Sequence, residues 1–150
     1  MKENNAMEIT SLMQFKGYDV LKLEYKKNIE EFKADVQFKM APSFKKSIEI
    51  LDEKNFNVTL GCKIESNEDE PFPFDMKVVI EGHFYISNVE GNEQLINENS
   101  LAILFPYLRA TISMITSSAN INALILPTIN IINLFKQLEN EELEENQNNT

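Results

Sequence analysis

Strict alternation of apolar and polar residues between Phe56 and Glu65 is the feature that most constrains the fold. The apolar side chains stand at every second position: Phe56, Val58, Leu60, Cys62 and Ile64. Because successive side chains of a β-strand point to opposite faces of a sheet, this pattern predicts a strand with one buried and one solvated face. A second even-numbered apolar series, from Phe72 to Ile86, follows an acidic turn at residues 66–71. The two runs together predict an antiparallel hairpin.

Two further strands are predicted upstream of this hairpin. A short one is indicated by Phe44, Ile48 and Ile50, and a longer one extends roughly from Ile9 to Tyr25. The longer strand changes parity at Gly17, where we expect a β-bulge because a bulge inserts one unpaired residue. Four strands of this length predict a mostly antiparallel sheet with one polar face.

The segment from Leu101 to Ala119 predicts a helix, because its apolar residues recur at spacings of three and four. Those residues are Leu101, Leu104, Phe105, Leu108, Ile112 and Ile115. Pro106 interrupts the pattern, so we expect a kink or a helix start close to it, with Ser100 as a candidate N-cap. A second helix is predicted to begin after the cap residue Asn130. The fold class is therefore α+β, with a four-stranded mostly antiparallel sheet followed by two C-terminal helices.

The predicted first helix carries almost no charge. Between Gly91 and Leu138 the charged residues are Glu93, Glu98, Arg109 and Lys136. A helix that is apolar on nearly all sides must be covered on more than one side, and a single sheet covers only one. The simplest second cover is another subunit. A membrane span is the alternative. The proline, the arginine and the hydroxyl residues disfavour a span, because a crossing requires ~20 mostly apolar residues in a row.

Charge and cysteine content narrow the class of partner and the compartment. The net charge of -10 disfavours nucleic acids and anionic membranes, since affinity for both comes from Lys and Arg. The single cysteine fits a reducing cytosol, and Met1–Thr10 has no apolar run of a signal sequence, so we expect a cytoplasmic protein. The stretch 139–150 holds five glutamates and no base. It is predicted to be an acidic disordered tail after a domain at 1–138.

Candidate catalytic residues are few. His83 is the only histidine and lies on the polar parity of its strand, where a surface position is the ordinary outcome. Cys62 lies on the buried parity, where an inert packed thiol is expected. The chain has no glycine-rich phosphate loop and no nucleophile elbow. We therefore predict no enzyme, no cofactor and no metal site, and an enzyme acting through His83 is a third-ranked alternative.

Two irregular segments carry apolar residues that the strands and helices do not account for. The connection between the first two strands contains Phe32, Val36, Phe38 and Met40, and the loop between the helices contains Ile121, Leu124, Leu126 and Ile129. Such residues ordinarily complete a core. Long apolar loops beside a sheet edge can instead form a groove, and grooves lined by Met, Phe and Leu adapt to varied apolar guests.

One run of residues carries a family resemblance. The sequence from Ile103 to Arg109, which reads ILFPYLR, is followed by Leu124 to Pro127 and by Asn130 to Phe135. This arrangement resembles the SecB family of protein-export chaperones, which have an LFPYAR-like helix followed by a loop of the type LAPVNFDALF. The segment from Phe84 to Gly91 is similar to a strand end of the same family. The predicted order of four strands and two helices agrees with the family over nearly the whole chain.

The resemblance implies a holdase that binds unfolded polypeptides without ATP and keeps them competent for export. It implies a homotetramer built as a dimer of dimers, with the long helix in the central interface through four residues: Phe105, Tyr107, Ile112 and Ile115. Peptide-binding grooves are implied between the two apolar segments, lined by the eight residues named for them, and Val36 stands where many members have tryptophan. Docking of the motor SecA is implied on the polar sheet face through Asp19 and Glu24, although Lys77 stands where members have an acidic residue.

Two alternatives to a general export chaperone stay open. Some SecB-like proteins belong to toxin-antitoxin systems and protect one labile antitoxin. An oligomeric adaptor, whose apolar loops bind one folded partner, is the alternative from a different class. Unfolded peptides of scrambled sequence distinguish the second alternative, because an adaptor should not bind them.

Overall fold

The computed structural model describes residues 13–28, 40–119, 126 and 130–149. Within these ranges the chain forms four strands and then two helices: β1 Met13–Lys27, β2 Ser43–Ile50, β3 Asn55–Ile64, β4 Phe74–Ile86, α1 Glu93–Ser118 and α2 Ile131–Asn148. The predicted α+β class and the order of elements are confirmed.

The four strands form one antiparallel sheet in the order β1-β4-β3-β2. The alternation that predicted β3 places its even-numbered side chains on the inner face, the one that packs against α1, where all five are at most 2% exposed. The odd-numbered side chains of β3 and β4 lie on the opposite, outer face. Parallel rings of Phe56 and Phe84, with centroids 5.2 Å apart, lie at the centre of the core.

Strand β1 contains the predicted bulge. Gly17 has a φ of 113°, and the pairing with β4 shifts register between Phe15 and Tyr18. Only glycine adopts such a φ without strain, so the change of parity at this position has a direct backbone cause. A second shift between Val20 and Lys22 explains why the apolar parity switches back further along the strand.

Helix α1 begins at Glu93, earlier than the pattern predicted, and it runs through Pro106 without ending. Ser100 is therefore not an N-cap. It is buried inside the helix, where its hydroxyl donates to the carbonyl oxygen of Ile96. The polar residues of the first two turns hid this start, because they interrupt the apolar periodicity while facing solvent. Pro106 is exposed, and the helix continues through it although proline cannot donate a backbone hydrogen bond to residue 102.

Helix α2 begins as predicted and ends later than predicted. The side chain of Asn130 accepts a hydrogen bond from the backbone N–H of Asn133 at 3.1 Å, which confirms the cap. The helix then continues to Asn148, through most of the stretch for which we predicted disorder. Ion pairs of Lys46 with Glu139, at 3.2 Å, and of Lys136 with Glu98, at 3.1 Å, hold its first half to β2 and α1. The division into a domain and a tail stays a prediction.

Candidate functional site

The two predicted groove segments are represented in the structure by one residue each. Met40 is half-buried and packs against the core. Leu126 is only 1% exposed and belongs to the core. The prediction had made it an accessible guest-binding residue, and its burial does not agree with that role. The other six predicted peptide-binding positions lie outside the described residues: Phe32, Val36, Phe38, Ile121, Leu124 and Ile129.

Arg109 holds Leu126, a described residue between the two helices, to α1. Its Nη2 donates to the carbonyl oxygen of Leu126 at 3.0 Å, while the Leu126 side chain is buried in the core. A hydrogen bond from a charged donor to a partly buried carbonyl is among the stronger kinds. The sequence identifies Arg109 as part of a motif and as a rare charge in this region, and does not predict its contact with Leu126. The available signal was its position as the one charged side chain between Glu98 and Lys136.

The four predicted interface residues of α1 divide into two groups. Ile112 has no exposed surface within the single chain, and Phe105 is buried with its ring 6.2 Å from that of Phe44. Both are core residues, whereas the prediction placed them in a subunit interface. A side chain that its own sheet already covers has no area left for a partner. Tyr107 is 38% exposed, and Ile115 is half-buried.

An uncovered face does run along α1, at positions that the prediction only partly named. Tyr107, Ala110, Met114 and Ser117 are exposed and follow each other at spacings of three and four. Met114 is 57% exposed, and Tyr107 packs on Phe15 and Tyr18 of β1, with centroids 5.2 and 4.9 Å apart.

Strand β1 adds more apolar surface beside this face. Val20 and Leu23 pair in register with the buried residues Ile80 and Val78, so their side chains lie on the inner face of the sheet. Each is nevertheless 46% exposed, because α1 does not reach this part of the sheet. An uncovered helix face next to an uncovered sheet edge is a surface that another polypeptide can cover.

The two predicted motor-docking residues are exposed on the outer face and each has a partner within the chain. Oδ2 of Asp19 lies 2.8 Å from Nε2 of His83, whose Nδ1 lies 2.9 Å from Oδ1 of Asn57. Oε1 of Glu24 lies 3.4 Å from Nζ of Lys22. His83 thus links β1, β4 and β3 across the outer face, which is the surface position that the sequence predicted.

The titratable groups of the described segments offer little chemistry. Cys62 is 1% exposed, and burial raises the pKa of its thiol to about 12, so the thiol stays protonated and unreactive at neutral pH. Across the described ranges, with their gaps at 29–39 and in the loop between the helices, no group of three or more His, Cys, Asp or Glu side chains is placed to hold a metal ion.

Helix α1 is the one helix in the described part of the chain with the length and composition of a membrane span. Its most apolar window has a mean hydropathy of 1.2, and 44% of that window is buried inside the protein. Core helices of soluble proteins have the same properties. Leu104 and Ile112 of α1 are fully buried in the core of the chain.

Comparison with known families identifies the fold. Residues 15–142 match the family model of SecB, described as the preprotein translocase subunit SecB. The chain belongs to the SecB family. The LFPYLR run and the capped second helix both begin within the matched range, and the family is one of chaperones.

Two curated relatives of this SecB-family chain cover only part of it. An uncharacterized protein of Methanocaldococcus jannaschii is 39% identical over 100 residues, which is 63% of this chain and 63% of the relative. The protein-export protein SecB of Cellvibrio japonicus is 34% identical over 89 residues, which is 58% of this chain and 53% of the relative. The alignments thus span less than two thirds of the length of either relative.

Two solved structures share the fold. The SecB-like chaperone Rv1957 of Mycobacterium tuberculosis, in complex with a ChAD peptide from the Rv1956 HigA1 antitoxin, superposes with a TM-score of 0.66 at 14% identity, over 82% of this chain and 94% of that one. A protein of unknown function from Streptococcus agalactiae superposes with a TM-score of 0.50 at 18% identity, over 77% of this chain and 97% of that one. At these identities the likeness concerns the fold alone.

Proposed function

We propose that this chain is an ATP-independent holdase, which binds unfolded or partly folded polypeptides and keeps them from folding or aggregating. The observation that carries the proposal is the match of residues 15–142 to the SecB family. A holdase needs no catalytic group, because binding the unfolded form alone delays folding by mass action. The inert thiol of Cys62 and the structural role of His83 agree with a function that rests on binding.

Guest polypeptides are proposed to bind between the crossover segment and the loop that joins the helices. The contacts come from seven apolar side chains: Phe32, Val36, Phe38, Met40, Ile121, Leu124 and Ile129. Leu126 has a different role in this proposal. Because its side chain is in the core and its carbonyl is held by Arg109, it fixes the loop so that the neighbouring apolar residues can stay available to a guest.

The working particle is proposed to be a homotetramer, a dimer of dimers with α1 in the central interface. The exposed helix face with Tyr107 and Met114, and the exposed apolar side chains of β1, support this assembly, since monomers rarely leave such a continuous apolar surface in water. Several grooves on one particle would bind one guest by avidity, because the first contact raises the effective concentration for the next.

Protein export in the cytoplasm is the proposed setting, with unfolded precursors as guests. Docking of SecA through Asp19 and Glu24 is part of this proposal, and their exposure on the outer face supports it. The ion pair of Glu24 with Lys22, and Lys77 opposite Glu24 in the register, weaken the negative charge that such docking requires. The Asp19 carboxylate is hydrogen-bonded to His83, which competes with a partner for the same oxygen.

The test is the refolding of a chemically unfolded enzyme in the presence of stoichiometric chaperone. We expect the purified protein, with a native mass near four chains by light scattering, to slow refolding. The variant Phe32→Ser/Phe38→Ser should lose at least half of this effect. A matched control, Leu51→Ser/Leu143→Ser, removes two exposed apolar side chains outside the groove segments and should behave like wild type. The proposal fails if wild type does not slow refolding or if the control loses as much.

A second candidate is a chaperone dedicated to one antitoxin. The fold shared with Rv1957, which was solved with an antitoxin peptide, favours this candidate over other specialised roles. A dedicated chaperone would protect one antitoxin and leave the refolding of unrelated enzymes unchanged. An oligomeric adaptor would bind a folded partner and ignore scrambled unfolded peptides. Slowed refolding that such peptides relieve by competition therefore separates the holdase from both alternatives.

A further inference from the structure

We propose that Lys46 of β2 is a positioning residue that latches α2 shut over an apolar cleft and so controls how readily a guest polypeptide enters it. The cleft is the gap between α2, α1 and β2, with three apolar residues on its floor: Leu101, Ile132 and Phe135. This role rests on the proposed holdase function and extends it, because the guest-binding positions named above do not include the cleft.

Lys46 points to the face of β2 where an apolar residue is expected. It stands opposite Leu60, which has no exposed surface, so both side chains lie on the inner face of the sheet. The Lys46 side chain is only 16% exposed. A charge at such a position is costly unless other groups pair with it. An inward charge on an edge strand can block pairing with another chain, but that role requires no contact with the helices.

Three groups on the two helices partner the Lys46 ammonium. Its Nζ donates to Oδ1 of Asn97 in α1 at 2.7 Å and lies 3.2 Å from Oε1 of Glu139 in α2. It also lies 5.1 Å from the centroid of the Phe135 ring of α2, a cation–π contact. A single charged group therefore joins the edge strand to both helices. Helix α2 cannot leave the sheet without breaking two of these three contacts.

Within the described part of the chain, few other contacts hold α2. Of its eighteen residues Ile131 and Phe135 are buried, three further apolar residues are half-buried, and residues 139–149 are all exposed. A second ion pair, between Lys136 and Glu98, involves a lysine side chain that is 58% exposed, and such pairs contribute little. The contact with β2 is thus the better shielded of the two ion pairs. Elements with few buried contacts open more readily than the core does.

The cleft is closed in this conformation. Its volume is about 10 Å³, at the lower limit of the roughly 10–15 Å³ that one water molecule requires. A guest can therefore reach the apolar floor only after α2 has moved away from β2. The contacts of Lys46 oppose that movement, so they set the fraction of molecules in which the cleft is open.

The chemistry of the cleft indicates an apolar segment of a guest as its occupant. The rim balances two lysines with two glutamates: Lys46, Lys136, Glu98 and Glu139. A charged ligand gains no net attraction from such a rim, whereas the floor offers apolar surface. Met40, one of the proposed guest contacts, lies three residues before β2. A guest in the proposed groove is therefore already beside the strand that carries Lys46.

An ionic latch predicts a dependence on salt that apolar packing does not. The screening length falls from about 30 Å at 0.01 M salt to about 3 Å at 1 M. The Glu139 side chain is 54% exposed, so ions in solution reach its pair with Lys46. Rising salt should therefore weaken the latch and open α2 more often, while the burial of Ile131 and Phe135 is not screened.

The first test is hydrogen exchange of the full chain without guest, followed by mass spectrometry. We expect the amides of residues 131–139 to exchange at least fivefold faster in 500 mM than in 20 mM potassium chloride. Lys46→Met keeps an apolar stem, and it should exchange at least fivefold faster than wild type at 20 mM and lose the salt dependence. The matched control Lys22→Met removes the exposed pair with Glu24 on β1 and should stay within twofold of wild type.

A charge reversal separates the latch from a folding defect. Lys46→Glu places two carboxylates together and should loosen α2 at least as much as Lys46→Met. Lys46→Glu/Glu139→Lys restores the ion pair with the signs exchanged, and the amide of Asn97 can turn to donate to the new carboxylate. The double variant should exchange at least threefold more slowly than Lys46→Glu alone, which a general loss of structure would not produce.

The second test is the rate at which a labelled, permanently unfolded model protein associates, measured by stopped-flow fluorescence. Lys46→Met should associate at least threefold faster than wild type at 20 mM salt, and Lys22→Met should not differ from wild type. Exchange that is independent of salt, equal exchange in Lys46→Met and wild type, or no recovery in the double variant would overturn the latch. Equal association rates for Lys46→Met and Lys22→Met would refute its link to guest entry. Wild type that binds no unfolded protein would refute the holdase function instead, and the exchange results would still decide the latch.

Discussion

Replacing Gly82 with alanine should loosen the contact between α1 and the sheet. Gly82 lies in the central strand β4, on the inner face. A Cβ atom added there would lie 2.8 Å from Cε2 of Phe84 and 2.9 Å from Cδ1 of Leu104. Neither neighbour can move freely, because Leu104 is fully buried and the Phe84 ring packs between Phe15 and Phe56. The glycine is therefore required for close approach of the helix.

The expected loss of stability follows from two opposing terms. Overpacking of a filled core costs about 1–3 kcal/mol. The substitution also restricts the unfolded chain, which offsets about 0.4–1 kcal/mol. The net destabilisation is therefore about 1–2 kcal/mol, equivalent to a fall in Tm of roughly 2–8 °C for a chain of this length.

Gly61→Ala is the matched control, since this glycine lies in the neighbouring strand on the opposite face. Its added Cβ would lie 3.5 Å from Cγ2 of Val79, an ordinary contact, so stability should stay the same or rise by up to about 1 kcal/mol. Urea denaturation of both variants at one protein concentration gives the comparison, because oligomerisation makes stability depend on concentration. Equal midpoints for Gly82→Ala and wild type, or an equal loss in Gly61→Ala, would contradict the packing argument.

Two further predictions concern titratable groups. Burial raises the pKa of Cys62 to about 12, so a thiol reagent at pH 8 should leave the native chain unmodified. The same reagent should label the chain rapidly in urea. Fast labelling of the native chain would show that the thiol is accessible. Hydrogen bonds from the backbone N–H of Lys54 and the side chain of Asn55 lower the pKa of the Asp52 carboxyl below its usual 3.8. A lowered folded-state pKa means that this contribution to stability is complete above about pH 4 and is lost as pH falls through the folded-state value. The urea midpoint of wild type should therefore exceed that of Asp52→Ala by more at pH 6 than at pH 2.5. An equal difference at both pH values would exclude a link between the lowered pKa of Asp52 and stability.

The alternation of β3 and β4 was sufficient to predict the sheet and its two faces. Every even-numbered apolar residue from Phe56 to Ile64 is buried, because a period of two leaves no choice of face once one side is apolar. The bulge at Gly17 and the cap at Asn130 were predictable for a similar reason. Both are local backbone requirements that depend on the residue itself and a few neighbours.

The faces of helix α1 and the contacts across the outer face of the sheet depended on the tertiary structure. The sequence of α1 is apolar on nearly all sides, so its pattern could not tell the buried Ile112 from the exposed Met114; the packing of the sheet against one side decided it. Asp19, Asn57 and His83 are far apart in sequence and lie on three strands, and only the register makes them neighbours. Local patterns determine which face of an element is apolar when the alternation is strict. Contacts between elements determine the rest, because they depend on residues that no local pattern links.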